Sequence, residues 1–443
     1  MCHTGVLWAE EDLPLAAARQ LLFGKVLYRD IWFDKPPLIP FVYLLWGAKI
    51  GFVLRIAGAV YTALCAWLAW LLARSLWTDR EGRWAGILMA FFLTFDTPSA
   101  VLPIAADLLL LAPHLAAIWL TVRGSAFWGG IAAGIGFLAN TKALFVLASC
   151  AIFAGTAVPV LAVGFVFPCA LAAIGLLVTG AWNSYVDQVW VWSSAYAKST
   201  FVDRPLINGL VRTANWSGFH LALLVPSGFV LTKDSRRWKL AAWALLSFAG
   251  VALGWRFFPR YYFQILPVAV LAASRGISLM GRRWWIPLIL LLIPLARFGP
   301  RYPMLAVGAD SHWADIAMDR ESREAAGIIN ALKKRGDTLY VWGYRPDLYP
   351  YTGLRAASRY LDCQAMTGVP ADRHLTQSGS VLDPSVTAAA RRELVRSQPV
   401  FIVDGLSKYN PRLALAGYPE TQEWLRDYRE IAEVRGMIVY RRR

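Results

Sequence analysis

From residue 52 to residue 298 long apolar runs follow one another, separated by short polar turns. A helix needs about 20 apolar residues to cross the hydrocarbon of a bilayer. By that measure candidate spans fall at 52–77, 84–101, 103–121, 126–140, 143–158, 160–182, 218–232, 240–255, 259–275 and 284–298. The stretch 126–158 reads as two tight spans or as one long kinked element, and 183–217 reads as a loop. The run Pro36 to Ala48 is too short to span and is expected to lie in the interface.

After about residue 299 the pattern becomes that of soluble protein. Asp315 to Arg335 predicts an amphipathic helix ending at Gly336, and Ala388 to Arg396 a second helix. Thr338 to Trp342, Val400 to Asp404 and Met437 to Tyr440 predict strands. The fold class expected is therefore mainly α: a polytopic membrane helix bundle of about ten spans, residues 1–298 with a first external loop 1–35. A small α/β domain, 299–443, follows it.

Composition strengthens this picture. The chain is 57% hydrophobic and 17% charged, against about 25% charged in an average soluble domain. Its mean hydropathy is +0.44. An ordinary soluble globule and a disordered chain are both excluded. The 21 Trp, 17 Tyr and 22 Phe suit helices whose ends sit among lipid headgroups.

Most of the net charge of +16 lies before residue 299. The basic loop residues are Arg74, Arg80 and Arg83; Arg123; Lys233, Arg236, Arg237 and Lys239; and Arg275, Arg282 and Arg283. With the spans above, all four groups fall on one side, which the positive-inside rule makes cytoplasmic. Residues 1–35, Asp107, the loop 183–217, the turn at Arg256 to Arg260 and the C-terminal domain then lie outside. No basic stripe with a base-reading motif points to nucleic acid. The five cysteines, Cys2, Cys65, Cys150, Cys169 and Cys363, show no metal spacing and no disulfide framework. Met1 to Ala9 is too polar for a signal sequence, so a helix preceding the first segment is expected to be missing from this sequence.

Candidate chemistry sits at the outer boundary. Glu10, Glu11 and Asp12 open a helical pattern, where acidic residues also stabilise a helix start without any function. Tyr28, Arg29, Asp30, Asp34, Lys35, Pro36 and Pro37 form a stiff polar loop before apolar sequence. Its Arg and Lys suit a lipid phosphate or snorkel from a helix boundary. Asp107 and Lys142 are ionisable groups near span ends, where they need water or a partner. Asp96, His114 and His220 read as packed residues. Arg260 beside Pro259 suits a phosphate contact, and Tyr262 either an acceptor or the aromatic belt. Arg345, Asp347 and Tyr349 either line an acceptor cleft or hold a loop after a strand.

The ordered run from Glu10 to Leu38, EEDLPLAAARQLLFGKVLYRDIWFDKPPL, resembles the first external loop of bacterial GT-C glycosyltransferases. The group includes the dolichyl-phosphate-mannose protein mannosyltransferases and the aminoarabinose transferase. Its Asp-Glu pair falls on Glu10 and Glu11, and its Lys-Pro-Pro on Lys35, Pro36 and Pro37. Asp107 in PIAADLLLLAP, the Gly-rich run GGIAAGIGFLANTK ending at Lys142, the turn FFPRYYFQILP and the segment YVWGYRPDLYPYTGLRAASRY are similar to later parts of the family. The chain departs from it where Glu10 replaces Asp, and where the preceding helix is absent.

The resemblance implies a hexosyltransferase, mannosyltransferase-like, that takes a monosaccharide from a polyprenyl-phosphate donor. Transfer to a glycan, lipid or protein acceptor would proceed with inversion on the outer face of a bacterial cytoplasmic membrane. It puts Glu10 first as general base, with Glu11 and then Asp12 behind it and Asp107 assisting. Lys35, Arg29, Arg260 and Lys142 are then the donor-phosphate residues. Tyr262, Arg345 and Tyr349 are acceptor candidates, and any divalent metal ion would sit on Glu10 and Asp107. Two rival readings are a lipid-linked sugar transporter or flippase, which favours midplane charges and repeated halves, and a non-catalytic scaffold. A scaffold has no reason to gather Glu10, Lys35 and Asp107.

Overall fold

The computed structural model describes residues 3–96, 104–199, 202, 204–309 and 313–443. Helix α1 (Ala9–Leu22) is followed by α2 (Leu38–Leu44), α3 (Phe52–Leu76) and α4 (Asp79–Phe92). Further helices run over Leu111–Val122, Ala126–Ala139, Ala143–Ala154, Val158–Val178, Pro205–Phe219, Leu221–Lys233, Arg237–Ala252 and Leu266–Leu279. Among the described residues, three stretches are long and apolar enough to cross a membrane: Phe52–Leu76, Ala143–Val178 and Gly281–Ala306. The expected ends of the spans 84–101 and 103–121 lie in part outside the described residues.

One open reading is decided and one expectation changes. The stretch 126–158 resolves into two helices, Ala126–Ala139 and Ala143–Ala154, separated by Asn140, Thr141 and Lys142. The second continues through a 3-10 turn into Val158–Val178. The region 183–217 is not a plain loop: Trp182–Tyr185, Val186–Val191 and Trp192–Lys198 run on as helix, and Pro205–Phe219 is another helix. Scattered Asn, Ser and Arg residues dilute the apolar signal there, although Pro205 at the first position favours a helix start.

Glycine brings helices close where it matters for Lys142. A Cβ on Gly130 would collide with the Leu161 carbonyl, and one on Gly164 with the Phe127 carbonyl. The glycine-rich run before Lys142 thus lets Ala126–Ala139 press against Val158–Val178, as small residues do between apolar helices.

The four basic turns meet at one end of the bundle. Arg275 pairs with Glu81 at 2.8 Å and with Asp234 at 2.9 Å, and Trp77 donates to Asp234 at 3.0 Å. Trp119, one helical turn before Arg123, donates to the Ser75 hydroxyl at 3.2 Å.

At the other end lies a five-stranded sheet in the order β2-β1-β3-β5-β4. Its strands are β1 (Thr338–Trp342), β2 (Arg355–Ala356), β3 (Phe401–Asp404), β4 (Tyr428–Val434) and β5 (Met437–Arg442). β1 is parallel to β2 and β3, whereas β5 runs antiparallel to β3 and β4. Alternate side chains face opposite sides, as the pleat dictates. Leu339, Val341, Phe401 and Val403 share a buried core with Leu13, Leu15, Ala16 and Ala17 of α1, while Tyr340, Trp342 and Ile402 pack on the other face. The sheet domain is thereby seated on α1, the helix that presents Glu10.

Candidate active site

Residues 10, 11 and 12 occupy the first turn of α1, so successive side chains leave the axis about 100° apart. Each acid therefore meets a different part of the molecule. Glu10 turns to the 3-10 segment Pro259–Gln264 and is ion-paired with Arg260.

Glu11 turns to α3. It is fully buried, and its two oxygens accept from Arg55 Nη1 at 3.0 Å and Nη2 at 2.5 Å. One also accepts from the Trp8 backbone N–H at 3.3 Å, completing a capping box. Both oxygens of Glu11 are thus engaged in a buried contact between α1 and α3.

Asp12 turns to the C-terminal domain. Burial, together with the carboxylates of Asp347, Asp319, Glu11 and Asp315, pushes its carboxyl well above the usual range. Burial likewise raises Asp347 to about 7, against the opposing pull of Arg345.

Around Arg260 four segments converge. Its Nε lies 3.5 Å from Asp107 Oδ2, so one guanidinium spans Glu10 and Asp107. Asp107 Oδ1 accepts from Lys142 Nζ at 3.1 Å and from Asn140 Nδ2 at 3.0 Å. The Asn140 side chain in turn accepts from the Lys142 backbone N–H at 3.0 Å, which fixes the turn between its two helices. Lys142 Nζ also sits 3.2 Å from the centre of the Tyr261 ring, a cation–π contact. Asp315 faces the same guanidinium: burial raises its carboxyl and Arg260 opposes the rise. Glu10 and Arg260 keep 25% and 32% of their side-chain surface open, whereas Asp107 and Lys142 keep 14% and 11%. The first pair is reachable and the second is the frame behind it.

A guanidinium between Glu10 and Asp107 does not suit a divalent ion, because it fills the position that the ion would take and carries the same sign of charge. Among the described residues, no group of three His, Cys, Asp or Glu side chains is placed to hold a metal.

Lys35 lies in a second polar centre. It pairs with Asp34 at 3.0 Å; burial works to lower its pKa, but Asp34, Tyr344 and Asp362 raise it overall. Tyr344 feels Asp12 as well as Lys35, so the two centres flank the first turn of α1. The loop that presents Lys35 is held tightly. Tyr28 is fully buried at φ 66°, a region rare for residues with a Cβ. Its hydroxyl donates to the Lys35 carbonyl at 2.7 Å, and its own carbonyl accepts from Gln188 and Arg359 at 2.9 Å.

The other candidates lie in different surroundings. Arg29 is exposed and engaged with Asp30 and the Thr179 carbonyl, away from the Arg260 network. Tyr262 is buried against Trp216 and bonded to Thr213, so the tyrosine facing the site is its neighbour Tyr261. Arg345 is buried on Glu321 and the Met318 carbonyl. Tyr349 is fully buried in the core shared with α1. Both are buried within the C-terminal domain. His114 is bonded to Trp243, and His220 to Asp96, in buried pairs. The turn chemistry of Asn140 was not singled out in the sequence, where Asp315 was read only as a helix start and Tyr261 only as an aromatic-belt residue. An Asn two residues before a Lys at a helix break was the available signal.

No protein-family model matches the sequence, and no curated protein is significantly similar to it. Solved structures are similar in fold. The aminoarabinose transferase ArnT from Cupriavidus metallidurans in the apo state superposes with a TM-score of 0.58 at 13% identity, over 98% of this chain and 94% of that one. The fold is that of GT-C glycosyltransferases. ArnT bound to undecaprenyl phosphate gives a TM-score of 0.56 at 14% identity, over 98% and 93%. The apo oligosaccharyltransferase from Archaeoglobus fulgidus gives 0.50 at 12%, over 96% of this chain and 69% of that one. The GT-C resemblance read from motifs spread along the sequence thus agrees with the architecture of the described chain.

Proposed function

We propose that the protein is a multi-pass membrane glycosyltransferase that moves one sugar from a polyprenyl-phosphate donor to a hydroxyl acceptor. The single observation that supports it most is the ion-paired set Glu10, Arg260, Asp107 and Lys142, drawn from four distant segments to the end of the bundle opposite the basic turns. The ArnT structure with undecaprenyl phosphate supports a donor of that class.

In this reading the donor phosphate competes with Glu10 for Arg260 and takes it, while Lys35 supplies a second cation. The released Glu10 carboxylate accepts the proton of the acceptor hydroxyl as that oxygen bonds to the anomeric carbon. The carbon–oxygen bond to phosphate breaks on the opposite face, and its electron pair leaves with the polyprenyl phosphate. Inversion follows from that geometry. General-base assistance contributes about 10²- to 10⁴-fold, and the two cations stabilise charge developing on the leaving phosphate. Asp107, tied to Lys142 and Asn140, sets the position of Arg260. Residues 1–298 form the catalytic domain and 299–443 its extracytoplasmic cover, at the outer face of a bacterial cytoplasmic membrane.

The test is turnover in proteoliposomes. Undecaprenyl-phosphate-linked mannose and aminoarabinose are supplied with envelope glycan, lipid A or envelope protein as acceptor, and undecaprenyl phosphate is followed by mass spectrometry. Acceptor-dependent release supports the reading, and its absence with every pairing contradicts it.

A further inference from the structure

A hollow of about 410 Å³ opens between the 182–198 segment and the C-terminal domain, and neither Glu10 nor Arg260 lines it. Small-molecule sites occupy about 300–1,000 Å³. Its inner wall holds Trp32, Trp192 and Tyr360, and its rim holds Asp187, Glu393 and Val386. The two tryptophans pack edge to face, 5.4 Å apart at 86°, which fixes both rings. The Tyr360 hydroxyl donates to Glu393 Oε2 at 2.9 Å, and both carboxylate residues are exposed. Among the described residues, no lysine or arginine lines the hollow.

These groups select one ligand chemistry. Flat aromatic walls accept the C–H face of a pyranose ring, and carboxylates accept hydrogen bonds from hydroxyl or ammonium groups. Two carboxylates without a cation repel phosphate and uronate, which separates the hollow from the donor-phosphate position at Arg260 and Lys35. The hollow is also joined to that position. Gln188, which lines it, accepts from the Phe33 backbone N–H at 2.8 Å, and Trp32 precedes Lys35 by three residues in the same loop.

We propose that this hollow is a subsite for a neutral or amino-substituted sugar residue of the acceptor, which is therefore a saccharide chain. Its place in the reaction rests on the transferase reading above, whereas its affinity for sugar does not. The full chain in nanodiscs is probed by saturation-transfer NMR with maltotriose, a glucosamine trisaccharide and a galacturonic acid trisaccharide. The first two receive saturation and the third does not. Filling the rim with Val386→Trp, or removing both charges with Asp187→Asn and Glu393→Gln, weakens binding at least tenfold. Glu10→Gln leaves it unchanged. Failure of both maltotriose and the glucosamine trisaccharide to bind overturns the proposal, as does binding that survives Val386→Trp or equal binding of the galacturonate. Intact saturation transfer in a protein that never turns over would refute the transferase reading alone.

Discussion

Arg260 is ion-paired with Glu10 across almost the whole length of the helical bundle's sequence, and the same guanidinium reaches Asp107 at 3.5 Å. An arginine between two carboxylates is balanced only while no anion arrives. A phosphate entering the cleft is a stronger bidentate partner than a carboxylate held by one contact. In the proposed mechanism the pair is a closed clasp that the donor phosphate would open, exposing Glu10 as base when a substrate is present.

Arg260→Ala removes both the phosphate contact and the clasp. A hydrogen bond to a charged group contributes about 1.5–3 kcal/mol, so donor KM is expected to rise about 10- to 100-fold. Arg260→Lys restores part of the affinity, since it keeps the charge and loses the fork. Steady-state kinetics with varied donor check this, and an unchanged KM in Arg260→Ala contradicts the assignment.

Glu11 and Glu10 are adjacent in sequence and are expected to separate cleanly in experiment. Glu11→Ala removes the carboxylate that balances the buried Arg55 charge, a loss of about 3–5 kcal/mol. Thermal unfolding in detergent is expected to show a large fall in Tm for Glu11→Ala and none for Glu10→Gln. Equal stability of the two variants would show that the buried pair does not hold α1 on α3.

Lys35→Ala is expected to weaken donor binding about tenfold, the loss of one charge-assisted contact of about 1.4 kcal/mol. The turnover rate at saturating donor changes little, because Lys35 touches neither Glu10 nor Asp107. Titration with undecaprenyl phosphate checks it, and unaltered affinity contradicts the phosphate role.

The Asp12 and Asp347 carboxyls give the domain contact a pH dependence. Both are raised in the folded protein, Asp347 from an ordinary 3.8 to about 7, by burial. A carboxyl raised by folding binds its proton more tightly in the native state, so stability declines as pH climbs from the unfolded value through the folded one. Tm is therefore expected to be highest near pH 4 and to fall toward pH 7. Asp347→Asn flattens that decline. A Tm that rises over the same interval contradicts it.

The legibility of the chain follows the physics of each element. Strands β1 and β3 were readable because buried strands in a parallel arrangement are continuous apolar runs. β4, YREIAEV, is an edge strand whose charged residues hide its alternation. The helix Pro205–Phe219 was missed because Arg and Asn interrupt its apolar pattern. At the site, Glu10, Asp107, Lys142 and Arg260 were all chosen from sequence and all lie in one network. The choice between Glu10 and Glu11 depends on the rotation of α1, and that between Tyr261 and Tyr262 on a 3-10 turn. Neither angle is written in residue identities. Arg345 and Tyr349 were read either as lining an acceptor cleft or as holding the loop after β1, a choice that depends on how the fold closes over that loop and buries both.

The central claim, that Glu10 is the base freed from Arg260, is tested most directly by Glu10→Gln in the reconstituted transfer assay with lipid-linked donor. The account predicts a loss of about 10²- to 10⁴-fold in turnover with donor binding retained and the protein still folded, and partial recovery in Glu10→Asp. Full turnover by Glu10→Gln would contradict it.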